Sequence, residues 1–210
     1  MGVGYKKKLR GVASRKRASF IFVSAEGKNK TETNYLRGFS NRNFVFRFVS
    51  SGKTDPVKMS QELVRKMEAD GFDRQSGDLA YCLIDGDNAS YKNKQIKQAD
   101  AVAKKHGFQV ILSNPCFEVW FLCHFSGSTK QFNNSDEVID ELKKYLPDYS
   151  KSLGNMKTNL SGKISTAINN AKSLREWNLN LHRKEHTVEF QPSTEVYIIV
   201  EELLKSAKSE

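Results

Sequence analysis

At 210 residues, with 38% hydrophobic content and a mean hydropathy of −0.59, the chain is long enough to bury one core of ordinary size and too polar for an integral membrane protein. No apolar run approaches the ~20 residues needed to span a bilayer. The apolar stretch Phe20–Val23 behind the basic amino terminus is too short for the core of a secretory signal, so the expected compartment is the cytoplasm, with no membrane partner. A net charge of +10 favours a polyanionic partner, because neutralising phosphates releases counterions.

Lys6, Lys7, Lys8, Arg10, Arg15, Lys16 and Arg17 crowd the amino terminus without one acid among them, and residues 1–18 read as a basic flexible arm. Ser19–Ser24 follows as a first strand, stopping at Glu26-Gly27. Thr31 offers an N-cap for a helix that places Tyr35 and Phe39 on one face. Phe44–Val49 is a second strand whose phenylalanines at 44, 46 and 48 alternate with other residues. Thr54-Asp55-Pro56 is a helix-start signal, and that helix ends near Asp70-Gly71.

Leu79–Ile84 is apolar throughout, as expected of a strand covered on both faces of a parallel sheet, and runs directly into Asp85-Gly86-Asp87-Asn88. A helix over roughly Lys92–Lys105 leads to a fourth strand, Phe108–Leu112. Ser113-Asn114-Pro115 then opens the apolar helix Cys116–Phe125. The order β-α-β-α-β-α-β-α predicts an α/β fold, an open and mostly parallel sheet with right-handed crossovers, over residues 19–125. From 126 to 210 strands vanish, and helices at Asp136–Leu146, Gly162–Trp177 and Ser193–Lys205 predict a helical extension packed on the same domain. Cys82, Cys116 and Cys123, odd in number and set in apolar runs, read as small buried side chains. The stretch containing His182 and His186 reads as a solvated loop rather than a metal-binding pair.

Ligands of an open α/β sheet bind beyond the carboxyl ends of its strands. Here the first strand ends at Glu26, the third at Asp85 and Asp87, and the fourth at the turn that delivers Glu118. Taken alone, an Asp-x-Asp pair is most often a turn former. A strand immediately before it, and a second strand ending in Glu-Gly, set this pair apart. Two carboxylates at that spacing can aim at one ion, with Gly86 leaving room for a sharp bend. Oxygen ligands suit Mg²⁺ or Mn²⁺, and such an ion stabilises charge in phosphoryl displacement. Lys28 and Lys30 flank these carboxylates as candidate phosphate contacts, beside Lys6, Lys7, Lys8, Arg15, Lys16 and Arg17 of the arm. Phe117, Trp120, Phe121 and Phe125 have the spacing of core residues rather than of a base-stacking platform.

A strand ending in Glu followed by one ending in Asp-x-Asp resembles the Toprim fold of topoisomerases, primases and OLD-type nucleases. The segments Glu26-Gly27…Thr31-Glu32…Asn34-Tyr35, Ser113-Asn-Pro-Cys-Phe-Glu118-Val-Trp-Phe…His124-Phe125 and Pro192-Ser-Thr-Glu-Val196…Val200-Glu201 resemble the RloB-like family of bacterial abortive-infection proteins. The resemblance implies a Toprim-type, Mg²⁺- or Mn²⁺-dependent nuclease acting on RNA or DNA in antiphage defence, with an ATPase as partner. It implies Glu26 as general acid/base and Asp85 and Asp87 as metal ligands; beside the metal set Glu26, Asp85 and Asp87, Glu118 is a candidate further ligand or a support to one, because the fourth strand delivers it to the same edge. Two departures stand out. The spacing from Glu26-Gly27 to Thr31-Glu32 is one residue longer than usual, which leaves the position of Glu32 open. Asn88 stands where many relatives carry an acid, which weakens the case for a second metal. A non-catalytic, nucleic-acid- or nucleotide-sensing subunit that regulates an ATPase is the alternative. A small-molecule phosphotransferase is disfavoured by the lack of a glycine-rich phosphate loop.

Overall fold

The computed structural model describes residues 17–26, 31–49, 52 and 54–207. The arm residues Lys6, Lys7, Lys8, Arg15 and Lys16, and the loop lysines Lys28 and Lys30, lie outside the described residues. Strands β1 (Ser19–Ser24), β2 (Phe44–Val49), β3 (Leu79–Asp85), β4 (Gln109–Asn114) and β5 (Ser193–Thr194) form one sheet in the order β2-β1-β3-β4-β5. The first four are parallel, with Ser19 opposite Phe44, Ile21 opposite Leu79 and Tyr81 opposite Gln109. β5 is antiparallel to β4 and was not expected: Ser193 and Thr194 pair with Asn114 and Ser113. Two residues carry no detectable alternation. β5 exists because Gln191-Pro192 brings the chain back alongside β4, so the helix expected from Ser193 begins at Val196 instead.

The pleat sorts each inner strand between two cores. Phe22, Ala80, Cys82, Ile84, Val110 and Leu112 face helices α2 (Pro56–Ala69) and α3 (Lys92–His106). Ile21, Val23, Tyr81, Leu83 and Ile111 face the opposite layer, made of α1 (Thr31–Arg37), α4 (Glu118–Cys123), α5 (Ser135–Lys143), α7 (Ile164–Asn180) and α8 (Val196–Ala207). A short α6 (Met156–Asn159) joins that layer through Met156. The helical extension thus shares one continuous core with the sheet. All three cysteines are buried and unpaired, and Phe117, Trp120 and Phe121 are fully within the core, as expected. Among the described residues no helix is long and apolar enough to cross a membrane.

Local signals decide several element ends. The Asp55 carboxylate accepts the Lys58 N–H at 2.9 Å ahead of Pro56, as the helix-start signal predicts. Thr31 is the first described residue of α1, and its hydroxyl donates to the Lys151 carbonyl at 2.8 Å, tying α1 to the loop before α6.

His186 departs from the solvated loop expected for it, whereas His182 is exposed. The His186 ring places Nδ1 2.8 Å from Asp100 on α3 and Nε2 3.0 Å from Glu195, which also accepts the Leu112 N–H of β4. Hydrogen bonds to Asp100 and then Glu195, against the opposing effect of burial, raise its pKa from 6.5 to about 10. A histidine with a raised folded pKa contributes stability that is fully present below about pH 6.5 and is lost as pH rises through 10. The melting temperature of the wild type is therefore expected to fall between pH 7 and 10. That slope should flatten in His186→Gln, which should also be about 1–3 kcal/mol less stable at pH 7. Thermal melts of both proteins across this range provide the check.

Candidate metal centre

The chain leaves β1 for β2 on one side, then crosses back to β3 on the other. This reversal opens a crevice at the carboxyl ends of β1 and β3, the place where open α/β sheets bind ligands. Glu26 lies just past β1 and Asp85 ends β3, and the two are joined directly: the Asp85 N–H donates to Glu26 Oε2 at 3.1 Å.

Between them sits an ammonium that the sequence did not single out. Lys92 opens α3 and is 3% exposed. Its Nζ lies 3.0 Å from Glu26 Oε1, 2.6 Å from Asp87 Oδ2 and 2.8 Å from the Asp85 carbonyl. Burial alone would lower its pKa, but the bond to Asp87 and the charge of Glu26 outweigh it and raise the value. Lys92 is therefore a fixed positive charge.

The Asp85-Gly86-Asp87-Asn88 turn is shaped by close approach. The bend falls on Asp87 and Asn88, at φ 51° and 52°, and not on Gly86 as expected. Asp and Asn are the non-glycine residues that best tolerate this left-handed region. The Asp87 N–H donates to the Pro115 carbonyl at 2.9 Å and the Asn88 amide to the Phe132 carbonyl at 2.6 Å. An acid at position 88 could not make that donation. Gly86 is needed for clearance: a Cβ there would lie 2.8 Å from Asn114 Cγ, and Asn114 is buried and held by the Val188 carbonyl at 2.6 Å. Gly86→Ala is expected to cost about 1–3 kcal/mol through overpacking, read as a lowered urea midpoint with unchanged slope.

On the inner side of the crevice stand Glu32, in the first turn of α1, and Glu118, the first residue of α4, exposed by only 6% and 3%. Glu118 Oε1 accepts the Tyr149 hydroxyl at 2.9 Å and has Lys151 Nζ at 3.9 Å. Glu32 Oε2 is buried without a hydrogen-bond partner. Burial, reinforced by the charges of Glu118 and Glu26, pushes the Glu32 pKa to about 7 although Lys151 and a backbone bond oppose it. Burial followed by the carboxylates of Glu32, Glu26, Glu118 and Asp87 holds Asp85 well above the usual carboxylate range. Burial also raises Glu26, with Lys92 opposing. Five carboxylates thus share a crevice with one close ammonium and one distant one.

Glu26, Asp85, Asp87 and Glu118, all proposed from the sequence, reach the same sheet edge. Arg17 does not join them. Its guanidinium forms a two-pronged pair with the Asp78 carboxylate at 2.9 and 3.0 Å, beside the starts of β1 and β3. Its charge is tied to the fold there, with 41% of the side chain left exposed. Glu32 and Lys92 complete the crevice. In the sequence Glu32 is marked only by the family motif, and nothing in a run of lysines marks Lys92.

A hard cation fits this donor set in kind: every ligand atom is oxygen, one buried carboxylate oxygen is unpartnered, and negative charge is in excess. Among the described residues no group of three or more acidic, histidine or cysteine side chains is placed to hold a metal ion. Lys92 fills the space between Glu26 and Asp87.

Fold and site together define a mostly parallel α/β protein with an anionic carboxylate centre at its topological switch point. The family model of RloB-like proteins matches residues 21–203, so the chain belongs to that family. No curated protein and no solved structure matches it.

Proposed function

We propose that this RloB-like protein is a Toprim-type nuclease, hydrolysing phosphodiester bonds of RNA or DNA with Mg²⁺ or Mn²⁺, as an effector of antiphage abortive infection. The observation that carries the reading is the convergence of five carboxylates and one buried ammonium at the switch point. Asp85, with Glu32 and Glu118 beside it, would hold the cation once the ion displaces the protons that burial favours on Asp85 and Glu32, and Asp87 and Glu26 line the approach to it. The bound cation would supply charge neutralisation for a phosphate oxygen. Glu26, raised by burial and anchored by the Asp85 N–H, is placed to hold or release a proton at Oε2. Lys92 keeps Glu26 and Asp87 in position with its own charge unspent by titration. Lys6, Lys7, Lys8, Arg15, Lys16, Lys28 and Lys30 supply phosphate contacts in this reading, and an ATPase partner switches the effector on.

The test is incubation of the protein, alone and with a candidate ATPase partner, with total RNA and plasmid DNA in Mg²⁺, Mn²⁺ or EDTA. Cleavage that needs the ion and disappears in Asp85→Ala and Glu26→Gln is expected. Full protection of cells against phage by both variants would sink the catalytic reading. The seating of Lys92 between Glu26 and Asp87 favours a second reading, a centre that binds nucleic acid or nucleotide without cutting it. Retained binding together with retained protection in those variants would select it.

A further inference from the structure

We infer that Tyr91 and Lys94, at the start of α3, form a subsite for one unpaired nucleobase and its phosphate at the rim of the carboxylate crevice. The inference rests on the proposed action on nucleic acid and specifies that the strand entering the centre is single.

Neither packing nor capping accounts for a tyrosine at position 91. Tyr91 is 68% exposed. It stands at the N-cap of α3, where Ser, Thr, Asp or Asn would bond the free N–H groups of the first turn, and it makes no side-chain cap bond. Among the described residues the other exposed aromatic, Tyr145, already stacks on Phe125 with ring centroids 5.1 Å apart. Phe117, Trp120 and Phe121 are out of reach in the core.

The residues that flank Tyr91 fix its place. Lys92, the next residue, holds its ammonium 3.0 Å from Glu26 and 2.6 Å from Asp87. One Cα step of ~3.8 Å added to an extended lysine stem puts the Tyr91 backbone within ~10 Å of that ammonium. About three stacked nucleotides at ~3.4 Å each span this distance, and fewer do when the strand is splayed. The backbone is pinned on both sides. The Ala89 N–H donates to the Gly86 carbonyl at 3.2 Å, the Lys92 N–H to the Ala89 carbonyl at 2.8 Å, and the Val188 N–H to Asn93 Oδ1 at 2.8 Å. An exposed ring on a rigid backbone has little freedom to lose on binding.

Lys94 lies three residues further on, so it shares that face of the helix, and it too is exposed. The first turn of α3 carries no acid to neutralise it, and a phosphate is the counter-charge it fits. The tyrosine ring accepts the flat face of any base, whereas a base stacked in a duplex offers no free face. The subsite therefore selects unpaired nucleotides.

Fluorescence anisotropy tests the assignment, with labelled single-stranded RNA and DNA oligonucleotides and duplexes of the same sequence. The full chain is used in Ca²⁺, with intact strands confirmed on a gel. Tyr91→Ala should weaken single-strand binding at least about fivefold, and Tyr91→Phe, which keeps the ring, by less than about twofold. Duplex binding should stay within about twofold in both. Lys94→Ala should make the salt dependence of single-strand binding shallower, by about 0.7 in the slope of log K against log salt. Both positions are exposed, so the melting temperatures should match the wild type and verify folding. Single-strand binding by Tyr91→Ala equal to the wild type, an equal loss in Tyr91→Phe or with duplex, an unchanged slope in Lys94→Ala, or no binding by the wild type would each overturn the inference. Cleavage is not read in this assay: Tyr91-dependent binding without nuclease activity defeats the proposed cutting alone, and ion-dependent cleavage with no effect of Tyr91→Ala on binding defeats the subsite alone.

Discussion

Asp85→Asn is expected to raise the melting temperature of the ion-free protein while lowering ion-dependent cleavage at least about a hundredfold. The two effects share one cause. Asp85 is held far above the usual carboxylate range by burial and by four neighbouring carboxylates. An acid whose folded pKa is raised binds its proton more tightly when folded, so its ionised form opposes folding. For Glu32 the stabilising effect of protonation is fully present below about pH 4.5 and disappears as pH rises through about 7; for Asp85 the shift has the same sign. In EDTA the wild type should therefore lose stability between pH 5 and 8. Asp85→Asn, neutral throughout, should lose less and gain about 0.5–2 kcal/mol at neutral pH. Added Mn²⁺ should reverse the order, stabilising the wild type and doing little for the variant. Scanning fluorimetry at several pH values, in EDTA and in Mn²⁺, measures both. An Asp85→Asn protein that melts lower than the wild type in EDTA would remove the buried-charge account of the site.

Much of this arrangement was legible in the chain because it is written in short-range patterns. β1, β3 and β4 are apolar runs of strand length, and acids at their ends needed only the parallel topology to be brought to one edge. Asp55-Pro56 announced α2 because capping is chemistry between residues three apart. What escaped notice depends on contacts made at long range. β5 is two residues long and is defined by pairing with β4, some eighty positions earlier. His186 owes its charge to Asp100 and Glu195 on two other elements, so its own neighbours in sequence suggested only solvent. Lys92 is one of 34 basic residues, and its distinction is burial against acids five, seven and sixty-six positions away. Gly86 suggests a bend because glycine commonly permits one. The bend lies on Asp87 and Asn88, and the missing Cβ serves Asn114 instead. In each case the residue type was informative, and the partner that gives it meaning was out of sight.

Removing the buried ammonium should be the most damaging single change in the centre. In Lys92→Met the methylene stem is kept, but the Glu26 carboxylate, the Asp87 carboxylate and the Asp85 carbonyl lose their common donor. Breaking a buried pair from one side costs about 3–5 kcal/mol, since the remaining charge stays desolvated. That is a large part of the ~5–15 kcal/mol that holds a domain folded. Urea denaturation should show the loss as a lowered midpoint. Arg at this position is not expected to restore it, because a planar fork cannot reproduce three contacts made by one tetrahedral nitrogen. Glu26→Gln added to Lys92→Met should recover part of the loss, because the charge left unpaired is then neutral; no recovery would mean that Lys92 acts through packing.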